Sequence, residues 1–190
     1  MQKISEMNTR EQIIQLADNL IREKGYNAFS FYDISKSVGI KTASIHYHFP
    51  SKSDLGVAVI EQYIDNLHCI RRDYDNKSPI ENLEKLFSIY STIKNENKVC
   101  LFGSLAPDFN TLDDKMQASL KTFSDVMINW VSNFLEKGRN SDVFQFEGSP
   151  RTKAIMIISN LLSAVLLSKL TIDKDFETVK ETINQELTKK

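Results

Sequence analysis

The chain has 190 residues, 41% hydrophobic and 26% charged, so it can bury a core for one or two small domains and is too apolar to be disordered through its length. A formal net charge of −1 excludes a general polyanion binder, which carries a basic excess over a whole domain, but leaves room for a local positive surface. Cys69 and Cys100 are too few and too isolated for a disulfide framework or a zinc site.

Ile13, Ile14, Ala17, Leu20 and Ile21 recur at three- and four-residue intervals between a Thr9-x-x-Gln12 capping box and Gly25, which predicts a first amphipathic helix. No signal peptide precedes it, so the expected location is the cytoplasm. Residues 30–49 then read as two short helices around a glycine turn. Ser30 and Asp33 suit a capping box, Ile34 and Val38 are spaced to meet Ile45, and Gly39 sits where a Cβ would obstruct the positive φ of a sharp turn. Lys41, Thr42, Ala43, Ser44, His46 and Tyr47 are left outside, small or polar as a major-groove surface requires. Lys36, Lys41 and Lys52 supply local positive charge. Hydrophobic spacing alone would equally fit an ordinary helical corner.

The run from Gly39 to Leu55, Gly-Ile-Lys-Thr-Ala-Ser-Ile-His-Tyr-His-Phe-Pro-Ser-Lys-Ser-Asp-Leu, resembles the signature of the TetR family of bacterial transcription regulators. In that signature a Gly-Val/Ile turn precedes a short recognition helix ending in Tyr-x-His-Phe, followed by x-Ser-Lys-x-x-Leu; His46 stands where the family usually has Tyr. The resemblance implies a homodimeric, ligand-responsive regulator, most often a repressor, acting on double-stranded operator DNA without a cofactor. It implies DNA contacts from Ser30, Lys36, Lys41, Thr42, Ala43, Ser44, His46, Tyr47 and Lys52. Of these, Thr42 to Ser44 would face bases, and His46, Tyr47 and Lys52 the phosphate backbone. His46 and His48, two residues apart on a helix, do not converge on a metal, so none is expected.

Pro50 breaks the chain, Ser51 and Asp54 cap the next helix, and Leu55, Ala58, Val59, Tyr63, Leu67 and Ile70 give it a long stripe. A connector helix over 51–73 follows, joining a headpiece of residues 1–50 to a body of residues 51–190. After a polar loop at Asp73–Pro79, Ile80, Leu83, Leu86, Phe87, Tyr90 and Ile93 mark a fifth helix. Gly103 and Pro107 keep the next one short, and Met116 to Phe134 mark a long helix ending near Gly138. No segment alternates convincingly with period two, so the fold class is all-α: a three-helix helix-turn-helix headpiece, a connector helix, and a helical ligand-binding and dimerisation domain.

Residues 154–170 are apolar on nearly every face, yet Ser159, Asn160, Ser163 and Lys169 make them too polar for a membrane span, so no membrane partner is expected. Such a helix needs cover on both sides, one from the long helix of its own body and one from a second copy. Ile155, Ile158, Leu162, Val165, Leu166, Val179 and Ile183 are the candidate dimer residues, the last helix contributing a narrow stripe of Phe176, Val179, Ile183 and Leu187.

An enzyme would need a nucleophile beside a base, or paired carboxylates in a cleft. The candidate cavity residues Tyr63, Leu67, Tyr90, Cys100, Phe102, Leu105, Phe109, Met116, Phe123, Met127 and Trp130 titrate little and suit a small apolar or electrophilic inducer instead. A non-enzymatic, ligand-responsive regulator is therefore the reading, with an architectural DNA-binding protein as the alternative. Val99–Ala106 resembles a Cys-Leu-x-Gly-x-x-Ala stretch in a subgroup of TetR regulators, some of which sense electrophiles; a buried, inert thiol is the competing reading of Cys100.

Overall fold

A computed structural model describes residues 8–172 and 174–188. The described residues form helices α1 (Thr9–Lys24), α2 (Phe31–Val38), α3 (Thr42–His48), α4 (Lys52–Tyr74), α5 (Pro79–Asn95), α6 (Leu101–Leu105), α7 (Asp114–Asn140), α8 (Pro150–Leu167) and α9 (Lys174–Thr188), with no strand among them. The all-α class is as the sequence predicts.

Helix starts follow local chemistry, with one shift. The first capping box is Asn8 with Glu11, one residue before the expected Thr9 and Gln12, because the Asn8 side chain takes the Glu11 N–H while the Glu11 carboxylate takes the Asn8 N–H. Ser51 with Asp54 and Ser78 with Glu81 close the same reciprocal pair ahead of α4 and α5. At the other end of α2, Gly39 is left-handed with φ 77° and returns its N–H to the Ser35 carbonyl.

α7 ends at Asn140, near Gly138 as the sequence predicts. Gly138 lies in its last turn, where a Cβ would stand 2.1 Å from the ring of Phe144, a residue 1% exposed, so the glycine also admits that ring.

The chain divides into two compact units: residues up to Asp65 with Leu101–Phe123, and Asn66–Cys100 with residues from Ser124 onward. In the first, α1 packs on α2, α3 and α6 over a core of Ile13, Ala17, Ile21, Ile34 and Ile45. In the second, α8 packs on α5 and α9. The Trp130 Nε1–H donates to Asn82 Oδ1 at 3.1 Å, and the Asn82 amide donates to the Tyr74 and Ser78 carbonyls, fixing the turn between α4 and α5.

The expected cover of α8 is corrected. Its chief helical neighbours are α5 and α9 rather than the long α7, and the α9 stripe is spent inside the chain: Phe176, Ile183 and Leu187 are all buried. Among the described residues only Pro150–Leu167 is long and apolar enough to cross a membrane, and 28% of it is buried. Ile155, Met156, Leu166 and Leu167 are exposed on its outer side.

Gly138→Ala should destabilise the protein by about 1–3 kcal/mol, because the Phe144 ring has nowhere to go. Gly56→Ala meets the flexible end of Met116 at 2.6 Å and the edge of the Tyr26 ring at 3.2 Å, and should cost less in a thermal melt. The Ser51 hydroxyl holds the Asp54 carboxyl below the usual carboxylate range, so the stability this adds is present above the ordinary carboxylate pKa and fades as pH falls through the depressed folded value. The stability gap between wild type and Ser51→Ala in urea denaturation should therefore be full near pH 7 and narrower near pH 3.

Candidate nucleic-acid interface and aromatic clusters

α2 and α3 turn one side inward and leave the other open. Phe31, Ile34 and Ser35 on α2 and Ile45 on α3 are buried, while Lys36, Lys41, Ala43 and His46 are exposed and Tyr47 is 85% exposed. Thr42 and Ser44 are half-buried, and the Thr42 hydroxyl lies 3.3 Å from the Ser35 hydroxyl, bracing the start of α3 against α2. The Tyr47 ring meets His48 edge-on at 5.2 Å and otherwise stands in the open.

Three further residues expected to meet DNA have intramolecular work. The Ser30 hydroxyl donates to Asp33 Oδ2 at 2.7 Å, which holds the Asp33 carboxyl low and starts α2. His46 stands edge-on to Phe31, with Nδ1 3.3 Å from the Pro50 carbonyl; an oxygen that only accepts requires Nδ1 to carry the proton, so a neutral ring turns an acceptor, not a donor, outward. Lys52 departs furthest from expectation. Its ammonium donates to the carbonyls of Tyr26 at 2.6 Å and Phe29 at 2.5 Å and lies over both rings, at 4.5 and 4.3 Å from their centroids. Desolvation lowers its pKa, and the ammonium clamps the turn before α2 to the start of α4. Nothing local in the sequence announces this, because the two carbonyls lie 26 and 23 residues earlier. Burial also pushes the Tyr26 hydroxyl up to about 12, with Asp113 and Asp54 adding to the shift.

Two features escaped the sequence reading. Tyr32 is 68% exposed on the side of α2 that carries Lys36 one turn later; the i, i+3, i+4, i+7 spacing of Phe31, Ile34, Ser35 and Val38 already puts it outside. Asp18 and Arg22 are both buried and 3.5 Å apart, and the Tyr63 hydroxyl donates to Asp18 at 2.7 Å. Opposite charges four apart beside the Ile14-Ala17-Ile21 stripe were the available signal.

The expected inducer residues fall into two sets. Tyr63, Phe102, Leu105, Phe109, Met116 and Phe123 belong to the first unit, and Leu67, Tyr90, Cys100, Met127 and Trp130 to the second. In the first, Phe102 stacks on Phe123 with centroids 4.3 Å apart, and Tyr63 meets Phe123 edge-on at 5.7 Å. In the second, all five are buried; burial, then neighbouring Cys100, pushes the Tyr90 hydroxyl pKa upward. Of the expected dimer residues, Ile155 and Leu166 are exposed and Ile158, Leu162 and Val179 half-buried. Val165 and Ile183 are corrected: they are 2% and 6% exposed inside their own chain and cannot line an interface unmoved.

Residues 13–59 match the family profile described as bacterial regulatory proteins, tetR family. A TetR transcriptional regulator from Legionella pneumophila is 40% identical, with 95% of this chain and 98% of that one covered and a TM-score of 0.85. The negative transcriptional regulator IcaR of the biofilm operon icaADBC, from Staphylococcus aureus strain Newman, is 41% identical over 133 residues, covering 68% of this chain and 71% of its length. The Escherichia coli K12 repressor NemR is 22% identical over 189 residues, covering 96% and 94%. With an exposed reading face on a glycine-turn helix pair and relatives of this identity over most of their length, the chain belongs to the tetR family of bacterial regulatory proteins and is a ligand-responsive, DNA-binding transcriptional repressor.

Proposed function

We propose that this repressor acts as a homodimer that sets its two α3 helices in successive major grooves of a palindromic operator, about 34–36 Å apart. The observation that carries the reading is the division of α3, with Ile45 fully buried and Tyr47 85% exposed two residues later. Residues 1–50 form the DNA-binding part and 51–190 the ligand and dimer part. Lys41, Thr42, Ala43 and Ser44 face the bases; Lys36, Tyr47 and Tyr32 reach the phosphate backbone, where α2 crosses it. Lys52 holds the headpiece in shape instead of touching DNA.

The exposed outer side of α8, with Ile155 and Leu166 and the half-buried Ile158 and Leu162, is the dimer face of each subunit. An apolar inducer engages the aromatic residues without a covalent bond, since Cys100, at 6% exposure, is shielded from reagents. Inducer and operator then oppose one another through differential affinity for two states of the dimer. The family and the relatives are transcription regulators rather than enzymes, and the cytoplasm is where this chain would meet its DNA.

Electrophoretic mobility shift with an operator selected by the wild-type protein from a random duplex pool tests the DNA assignment. Tyr47→Ala should weaken binding without lowering the melting temperature, whereas Lys52→Met should lower stability by about 2 kcal/mol, since two carbonyls lose a charged donor. If Tyr47→Ala binds as wild type does, Tyr47 is not a contact. Leu166→Asp should convert the dimer to a monomer in sedimentation at micromolar concentration; a variant still dimeric would place the interface elsewhere.

A further inference from the structure

Residues Leu101–Phe123, far from the headpiece in sequence and assigned by it to the body, fold into the same compact unit as α1, α2 and α3. α6 packs directly on α1. Phe102 of α6 stacks on Phe123 of α7, Phe123 meets the Tyr63 ring of α4, and the Tyr63 hydroxyl ends on Asp18 of α1, which also holds Arg22. The contacts thus close a ring, α1 to α6 to α7 to α4 and back to α1. The Lys115–Asp54 pair that also joins α7 to α4 is exposed, whereas the Tyr63–Asp18 step of the ring is a hydrogen bond onto a buried carboxylate.

That step is unlike its neighbours. Aromatic packing is tolerant of small slides, but a 2.7 Å hydrogen bond onto a carboxylate already paired with Arg22, with both charged side chains 8% exposed, is directional and costly to break. A displacement of the Phe102–Phe123 stack therefore either carries Tyr63 and α1 with it or strips a partner from a buried carboxylate.

We propose that Tyr63 is a positioning residue whose hydroxyl, held by Asp18 and Arg22, transmits the packing of Phe102 and Phe123 to α1 and so to the DNA-reading helices. This rests on the DNA-binding reading above. The relay lies wholly within the headpiece's own unit, so a ligand that disturbs the aromatic stack changes DNA affinity without first having to reorder the second unit.

The test is a double-mutant cycle on operator affinity, using the full chain and an operator selected from a random duplex pool by wild type. Tyr63→Phe keeps the ring and removes the hydroxyl; Phe102→Leu keeps apolar bulk and removes the stack. Each alone should weaken operator binding about tenfold, the size expected for one hydrogen bond to a charged group, and the pair together about tenfold rather than a hundredfold. The coupling between the two affinity losses separates the relay from plain destabilisation, because Tyr63→Phe lowers the melting temperature in either case, whereas a merely structural role leaves the two losses multiplicative. Multiplicative losses, or no loss from Tyr63→Phe, overturn the relay alone. Failure of wild type to enrich any sequence overturns the DNA-binding reading itself, and the relay with it.

Discussion

The ammonium of Lys52 is the constraint on which the headpiece depends. The chain leaves α1 through Gly25 and a short turn at Tyr26–Ala28, and its carbonyls at Tyr26 and Phe29 point at the start of α4. One lysine at the first position of that helix satisfies both and is roofed by the two rings. Because α2 begins one residue after Ser30, the same clamp sets where α2 enters and therefore where α3 stands. The sequence resemblance implies a phosphate contact for this charge; in the structure it satisfies two carbonyls that would be costly to leave without a donor.

Around that clamp, charge is rationed by depth. Lys36 and Lys41 remain outside, while Asp18 and Arg22 are drawn in and neutralise each other beside the Tyr63 hydroxyl. A buried pair of this kind contributes little net stability, because its attraction is offset by the desolvation of both charges. What it supplies is orientation. Tyr63 and Asp18 can meet in few geometries, so α1 and α4 are held in one register while the apolar core around them would accept several.

α8 shows the opposite economy. Its buried residues, Ala154, Ile157, Leu161, Ala164 and Val165, are sufficient to hold it against α5 and α9, and what remains outside is still apolar. The stripe on α9 is narrow and is exhausted by this packing. In the dimer proposed above, the outer side of α8 would supply the contact, with α9 adding half-buried Val179. The low net charge fits this division, since repulsion between copies is small.

Most of the local structure was legible in the residues themselves. Hydrophobic periodicity placed the helices, serine and aspartate side chains marked their starts, and Gly39 marked the turn, because each of these is decided within one or two turns of chain. The outer face of α3 could be read for the same reason, and Tyr32 was readable but overlooked. Only the tertiary structure decided the rest. Whether Lys52 meets phosphate or carbonyl depends on a turn more than twenty residues away, whether Val165 and Ile183 face a partner or their own core depends on how α9 lies on α8, and the grouping of Leu101–Phe123 with the headpiece depends on which helix α6 finds to cover it. Apolar patterning tells a helix which side to bury but not against what, because the hydrophobic effect has no direction.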